Sequence, residues 1–111
     1  MDISRQIEQG ICIVNIDIDR LDASNADDFK QEMKAIIEQS KDFIFDLRSL
    51  DFIDSTGLGA ILTCLRRVTQ KSGELKVCNV HKTILTLFEL VRFHRIVEIH
   101  ETVEDALSSY K

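Results

Sequence analysis

Short apolar segments alternate with segments of helical periodicity along most of this chain. The strand-like segments lie at 3–7, 11–18, 43–47, 75–80 and 96–99, of which the first and last are the weakest. The helix-like segments lie at 24–39, 57–70 and 81–92, and a short one follows Thr102. Strands that alternate with helices are usually parallel neighbours joined by crossovers. We therefore expect an α/β fold with a mixed central sheet of four to five strands, covered by about four helices.

The segment at 11–18 alternates in a way that predicts a half-buried strand. One face would carry Cys12, Val14, Ile16 and Ile18, and the other would carry Asn15 and Asp17. The residues at 19–23 are mostly polar and indicate a loop. The segment at 43–47 is short and aromatic, which is typical of a central strand.

Local signals predict where three of the helices begin or end. Ser24 precedes Asp27 by three positions, a loose capping box for the first helix. Thr102 and Asp105 have the same spacing before the last helix. Gly73 follows the second helix and suits a left-handed C-cap.

Apolar residues at helical spacing predict which side chains face the core. They are Phe29, Met33, Ile36 and Ile37 in the first helix, Leu58, Ile61, Leu62, Leu65 and Val68 in the second, and Ile84, Leu85, Phe88 and Val91 in the third.

Size and composition limit the classes of protein to consider. With 111 residues, 44% of them apolar, the chain suits a single domain spanning 1–111. A net charge of −5 argues against nucleic acid as the main partner, because that binding depends on Lys and Arg. There is no apolar run of about 18 residues and no signal-peptide pattern at the start, so we expect a cytoplasmic protein without membrane contact.

The cysteines and histidines give no strong metal pattern. Cys12, Cys64 and Cys78 are an odd number of thiols among apolar neighbours, which suits reduced core cysteines. Cys78 and His81 are three apart, but a zinc site needs three or four converging ligands. We expect no metal and no cofactor.

The segment DFIDSTGLG at 51–59 joins a strand-like run to the second helix. Asp54 or Ser55 can cap the helix, and Gly57 and Gly59 can let it approach the sheet closely. These structural roles could account for the whole motif. The alternative is that a serine at a helix N-terminus is open to phosphorylation, since the partial positive charge there tolerates an anion.

A phosphate at that position would change how the surface binds a partner. The carboxylates of Asp22 and Asp54 would add to its negative field. Like charges across an interface cost several kcal/mol, and roughly 5.5 kcal/mol moves a partner from almost fully bound to almost fully free. One phosphate is therefore large enough to act as a switch.

The motif D-x-x-D-S-T-G-L-G between a strand and a helix resembles that of the STAS domain, specifically the bacterial anti-sigma-factor antagonists. The similarity extends over nearly the whole chain. The further matching positions are Asp22, the helix at 24–39, the turn at 71–75 and the segment TVEDAL at 102–107. One departure is Asp19, where many members carry glycine, and it makes this loop more acidic.

The resemblance implies a partner-switching protein that is not an enzyme. Ser55 would be the phosphorylation site, with Thr56 a weaker candidate. The unphosphorylated form would bind an anti-sigma factor that is also a serine kinase, and phosphorylation with ATP and Mg²⁺ would release it. A PP2C-type phosphatase would reset the switch. The expected partner-binding residues are Asp22, Asp54, Ser55, Thr56, Gly57, Leu58 and Gly59.

Other functions compete with this interpretation. The family also includes constitutive structural subunits of transporters and signalling scaffolds, in which Ser55 would affect assembly without being phosphorylated. A hydrolase is disfavoured because the residue two before Ser55 is Ile53, and not the glycine of a nucleophile elbow. STGLGA lacks the lysine of a phosphate-binding loop. Asp19, Asp22 and Asp54 suit a solvated acidic rim better than a Mg²⁺ site.

Overall fold

The computed structural model describes residues 1–110. The strands are β1 (Ile3–Glu8), β2 (Ile11–Ile16), β3 (Arg20–Leu21), β4 (Phe43–Asp46), β5 (Phe52–Ile53), β6 (Leu75–Cys78) and β7 (Glu98–His100). The helices are α1 (Ala26–Glu38), α2 (Ser55–Gln70), α3 (Lys82–Leu90) and α4 (Val103–Ser108), and a 3₁₀ turn covers Phe93–Arg95.

Five strands form the central sheet in the order β1-β2-β4-β6-β7. β1 is antiparallel to β2, and the other neighbours are parallel. β3 and β5 form a separate two-stranded parallel pair. The expected α/β fold, with a mixed sheet and about four helices, is confirmed.

The sheet separates two apolar clusters. The larger cluster packs α1, α2 and α3 against one face, around side chains such as Val14, Phe45 and Val77. The smaller cluster packs α4 against the other face, where Ala106 and Leu107 meet residues of β2 and β4. Since β4 lies in the middle of the sheet under both layers, all four of its residues are buried.

The prediction of a half-buried strand at 11–18 is wrong in its length and its burial. β2 ends at Ile16, and Ile11 and Ile13 are buried beneath α4 on the face expected to meet solvent. The expected loop at 19–23 contains β3. Neither β3 nor β5 was expected, because two residues are too few to show periodicity.

Three further local expectations are wrong. α1 begins at Ala26 and not at Ser24, whose N–H and hydroxyl both donate to Asp22. The left-handed residue after α2 is Ser72 (φ 61°) and not Gly73. Val91 follows α3 with 48% of its surface exposed, so it does not face the core.

The Thr102 cap is confirmed, since its hydroxyl accepts a hydrogen bond from the N–H of Asp105 at 3.0 Å. The other predicted core positions of α1 and α2 are buried or half-buried. In α3, Ile84 and Phe88 are buried and Leu85 is half-buried.

Among residues 1–110, no helix has the length and apolar character needed to cross a membrane. Within the same residues, no cluster of three or more His, Cys, Asp or Glu side chains could hold a metal ion. Cys12, Cys64 and Cys78 are buried free thiols.

Candidate functional site

The junction between β5 and α2 is built around Asp54. Its backbone is extended (φ −108°, ψ −175°), and its carboxylate accepts a hydrogen bond from the N–H of Gly57 at 2.8 Å. Its carbonyl accepts the first helical bond, from Leu58 at 2.9 Å. Of the two residues able to cap α2, Asp54 is therefore the cap, and the Ser55 side chain is free of that role.

Ser55 is the first residue of α2, and the side chains of Ser55 and Thr56 are exposed. The N–H groups of a first helical turn have no intrahelical acceptor, and they give this end of the helix a partial positive charge. Ser55 therefore places a hydroxyl at the positive end of a 16-residue helix, in contact with solvent.

Gly57 and Gly59 differ in their surroundings. A Cβ added to Gly57 would lie 2.1 Å from the carbonyl oxygen of Leu21 in β3, so only glycine lets α2 approach β3 this closely. A Cβ added to Gly59 would have no atom within 4 Å. Close packing inside the protein therefore accounts for Gly57 but does not account for Gly59.

Asp22 orders the loop between β3 and α1. Its carboxylate accepts hydrogen bonds from Ser24, through N–H (2.9 Å) and hydroxyl (2.5 Å), and from Arg20 Nε at 2.8 Å. The Ser24 hydroxyl first, and then Arg20, lower the pKa of Asp22 to about 2. Asn25 completes the loop, because it accepts from the Asp22 N–H and donates to the Arg20 carbonyl.

The pairing of β3 with β5 brings this loop to the start of α2. Leu21 pairs with Ile53, and the N–H of Asp54 donates to the Leu21 carbonyl at 3.4 Å. Asp22 follows Leu21 directly and therefore lies at the same end of α2 as Ser55. The sequence-predicted residues of the loop and the junction come together in space.

The predicted partner-binding residues divide by exposure. Ser55, Thr56 and Gly59 are exposed, and Asp22 and Asp54 are half-buried. Gly57 and Leu58 are buried, with Leu58 packed in the larger apolar cluster. These two residues position the helix and present no side chain at the surface.

Two residues of this region were not predicted from the sequence. Phe52 is 44% exposed, and the guanidinium carbon of Arg20 lies 4.6 Å from the centre of its ring. The signal in the sequence is an aromatic residue three positions before Ser55.

Two histidines near strand ends make contacts with residues other than Ser55. The ring nitrogen Nε2 of His81 lies 2.6 Å from the carbonyl of Arg48. That of His100 lies 3.0 Å from Glu98. Activation of a serine nucleophile requires a base within hydrogen-bonding reach, and these two rings are engaged elsewhere.

The family profile and the related proteins that match this chain indicate the same family. The profile of the STAS domain matches residues 2–106. The anti-sigma F factor antagonist of Paenibacillus polymyxa is 29% identical over 110 residues, which covers 97% of this chain and 93% of that protein.

Two solved structures have the same fold. An anti-sigma-factor antagonist (STAS) domain protein from Planctomyces limnophilus superposes with a TM-score of 0.89 at 15% identity, covering 98% of this chain and 97% of the other. The Bacillus cell fate determinant SpoIIAA, in its phosphorylated form, gives 0.72 at 18% identity, covering 99% and 100%. Because the family profile spans nearly all of its residues, the chain belongs to the STAS domain family.

Proposed function

We propose that this chain, as a single domain of residues 1–111, is a cytoplasmic anti-sigma-factor antagonist whose binding is controlled by phosphorylation of Ser55. It is a binding module and not an enzyme. Its partners are an anti-sigma factor that is also an ATP-dependent serine kinase, and a PP2C-type phosphatase that removes the phosphate. The observation that carries the proposal is the exposed Ser55 hydroxyl at the first position of α2, beside the Asp54 cap.

The helix end supports phosphorylation without loss of the fold. Asp54 already supplies the capping acceptor, so modification of Ser55 removes no hydrogen bond that α2 needs to begin. A phosphate carries a charge of about −1.5 to −2 near neutral pH, which the partial positive charge of the helix N-terminus partly stabilises.

The surroundings support release of a partner. Asp54 precedes Ser55, and Asp22 lies on the adjacent loop, so the phosphate adds its charge beside two carboxylates. A partner that docks on the neutral serine must then accommodate a dianion, and like-charge juxtaposition costs several kcal/mol. This is the scale of free energy that a binding switch requires.

Gly59 also supports a partner on this surface. Glycine inside a helix costs about 0.5–1 kcal/mol relative to alanine, and Gly59 has no internal neighbour that excludes a Cβ. A partner whose backbone or side chains approach α2 closely at this point accounts for a glycine there.

Mass spectrometry tests the acceptor residue. We expect the chain to gain one phosphate on Ser55 when it is incubated with the purified anti-sigma factor of the same organism, ATP and Mg²⁺. Ser55→Ala should stay unmodified and Thr56→Ala should be modified normally. Phosphate found only at another residue would refute the assignment of Ser55.

Binding titrations test the switch. We expect Ser55→Ala to keep the affinity of the unmodified chain for the anti-sigma factor. Ser55→Asp should weaken binding at least about tenfold, because its single charge causes part of the like-charge repulsion, of several kcal/mol, that a phosphate dianion would cause. Ser4→Asp is the matched control, because it adds the same charge at an exposed position on β1. Equal affinities for Ser55→Ala and Ser55→Asp would refute the switch and favour a constitutive structural subunit.

A further inference from the structure

Phe52 is the exposed aromatic side chain nearest to Ser55 in sequence. The other five phenylalanines of the chain are buried, whereas Phe52 is 44% exposed. Large aromatic residues are enriched at the centres of protein interfaces, where a few of them carry most of the binding free energy. Its position three residues before Ser55 places it at the edge of the proposed switch.

Arg20 and Asp22 hold the Phe52 ring in place. Arg20 pairs with Phe52 across the β3–β5 ladder, and its guanidinium carbon lies 4.6 Å from the ring centre. The guanidinium is fixed in turn because Arg20 Nε donates a 2.8 Å hydrogen bond to the Asp22 carboxylate. A ring supported in this way loses little conformational entropy when a partner binds, which favours affinity. Asp22 thus acts on this surface through Arg20.

A groove opens between β5 and α3 beside this ring. Its volume is about 100 Å³, and it is lined by Asp51, Phe52, Ile53, Thr83, Ile84 and Leu87. One water occupies about 30 Å³ of liquid volume, so the groove has room for a short apolar side chain. Its apolar lining is continuous with the larger core through Ile53 and Ile84.

One carboxylate, that of Asp51, lines the groove. Asp51 borders Phe52, and the N–H groups of both residues donate to the carbonyl of Asp19, at 2.9 and 3.2 Å. Asp54 follows Ile53 in the chain, and its carboxylate accepts the Gly57 N–H at the start of α2. The positive charge of Arg20 is engaged by Asp22. The groove therefore combines an apolar lining with the carboxylate of Asp51 at its edge, and it complements an apolar side chain flanked by a basic residue.

We infer that Phe52 and the adjoining groove between β5 and α3 form the apolar anchor of the surface that docks the anti-sigma factor, which inserts an apolar side chain flanked by Lys or Arg. This inference rests on the proposed function. It adds to that function a binding contact outside the helix end, and it assigns a class of side chain to the partner. A phosphate on Ser55 then acts at the edge of the anchored contact.

Alanine substitution tests the anchor. The probe is the purified anti-sigma factor of the same organism, and the measurement is its dissociation constant by calorimetry. We expect Phe52→Ala to weaken binding about 10- to 30-fold, as at an interface hot spot, and Phe52→Leu, which keeps an apolar side chain, to weaken it less. Leu90→Ala is the matched control, because Leu90 is a 78% exposed apolar residue at the far end of α3. The affinity of this variant for the anti-sigma factor should stay unchanged.

Charge substitution tests the Asp51 carboxylate. Asp51→Asn should lower the association rate and reduce the salt dependence of binding, because rim charges mainly steer encounter. Asp28→Asn removes an equal charge from the exposed surface of α1 and should leave both unchanged. Equal effects of the two variants would overturn the assignment of flanking Lys or Arg residues to the partner.

The outcomes separate the inference from the function on which it rests. Wild-type binding with an unchanged affinity for Phe52→Ala would overturn the anchor and leave the switch standing. An equal loss for Leu90→Ala would overturn it as well. Failure of the wild-type chain to bind would overturn the proposed function, and the anchor with it. Thermal unfolding of each variant verifies that it is folded, and Phe52→Leu provides the test if the alanine variant is not.

Discussion

Gly57 and Gly59 lie two residues apart on α2, and they have different reasons to be glycine. The Cβ position of Gly57 is occupied by the backbone of β3, with the Leu21 carbonyl oxygen 2.1 Å away. A backbone carbonyl cannot rotate aside as a side chain does. The Cβ position of Gly59 is open. The first glycine therefore serves the fold, and the second has no such role within the protein.

This contrast predicts opposite effects of the same substitution. Gly57→Ala should lower the free energy of unfolding by about 1–3 kcal/mol, the usual cost of overpacking. Gly59→Ala should raise it by about 0.5–1 kcal/mol, because alanine is the better helix former. Urea unfolding of the two variants measures both changes. A loss of stability in Gly59→Ala, or none in Gly57→Ala, would contradict this account of the two positions.

Much of the candidate site could be predicted from single residues, because its signals are local. The Asp54 cap and the glycines beside it act within one helical turn. Local patterns failed where contacts with other residues decided the conformation. Ser24 has the spacing of a helix cap, but its donors are directed to Asp22. Gly73 approaches the carbonyl of Lys41 too closely for a Cβ, and the left-handed residue is Ser72.

At the scale of elements, the helices and long strands were predictable and their partners were not. β3 and β5 have two residues each, and only their pairing defines them as strands. The burial of Ile11 and Ile13 depends on α4, about 90 residues further along the chain, and no window around β2 contains that information. The groove beside Phe52 was unpredictable for the same reason, because it lies between β5 and α3.

α4 has only six residues and depends on its tertiary contacts. Tyr110, just beyond it, donates a hydrogen bond to the Phe43 carbonyl at 2.7 Å, and its hydroxyl also lies 3.0 Å from the Glu74 carbonyl oxygen. The buried ammonium of Lys76 lies 4.1 Å from the centre of the Tyr110 ring and donates to the Ser109 hydroxyl at 2.6 Å. These contacts fasten α4 to the ends of β4 and β6.

Removal of the Tyr110 hydroxyl tests how much these contacts stabilise α4. Tyr110→Phe should lower the free energy of unfolding by about 1–2 kcal/mol, since the hydroxyl's hydrogen bond is lost and the carbonyls beside it lose a donor. It should also speed hydrogen exchange of the α4 amides. Ser108→Ala, at an exposed position of the same helix, should change stability by less than about 0.5 kcal/mol. Equal stabilities of wild type and Tyr110→Phe would show that the helix is held by its apolar face alone.

At the scale of the whole molecule, both apolar clusters contain buried thiols, and the larger cluster also contains Cys12. Cys64 lies in the cluster beneath α1–α3, and Cys78 lies in the cluster beneath α4. Burial raises the pKa of Cys64 to about 12. Burial first, and then the carboxylate of Asp46, raise that of Cys78 to about 12. Ionisation of Cys64 and of Cys78 is therefore disfavoured in the folded protein.

The raised pKa values predict how the fold responds to alkaline solution. A thiol in the unfolded chain ionises near its ordinary pKa of 9.0, whereas the folded thiols keep their protons to about 12. The unfolded state therefore binds fewer protons between these values, and the stability that the thiols contribute is fully present below pH 9. As the pH rises toward 12, the free energy of unfolding should fall by about 1.4 kcal/mol per pH unit for each thiol.

Urea unfolding between pH 7 and 10.5 measures this slope, and Cys64→Ala and Cys78→Ala isolate each thiol. The loss of packing in either variant costs the same free energy at every pH, so it shifts the curve without tilting it. The slope of the free energy of unfolding against pH depends only on the ionisation of the thiol. Each variant should therefore lose stability less steeply than wild type above pH 9, and its curve should converge on that of wild type as the pH rises. Curves that stay parallel to that of wild type would mean that the thiol ionises as readily in the folded protein as in the unfolded chain, which burial in a closed apolar cluster forbids.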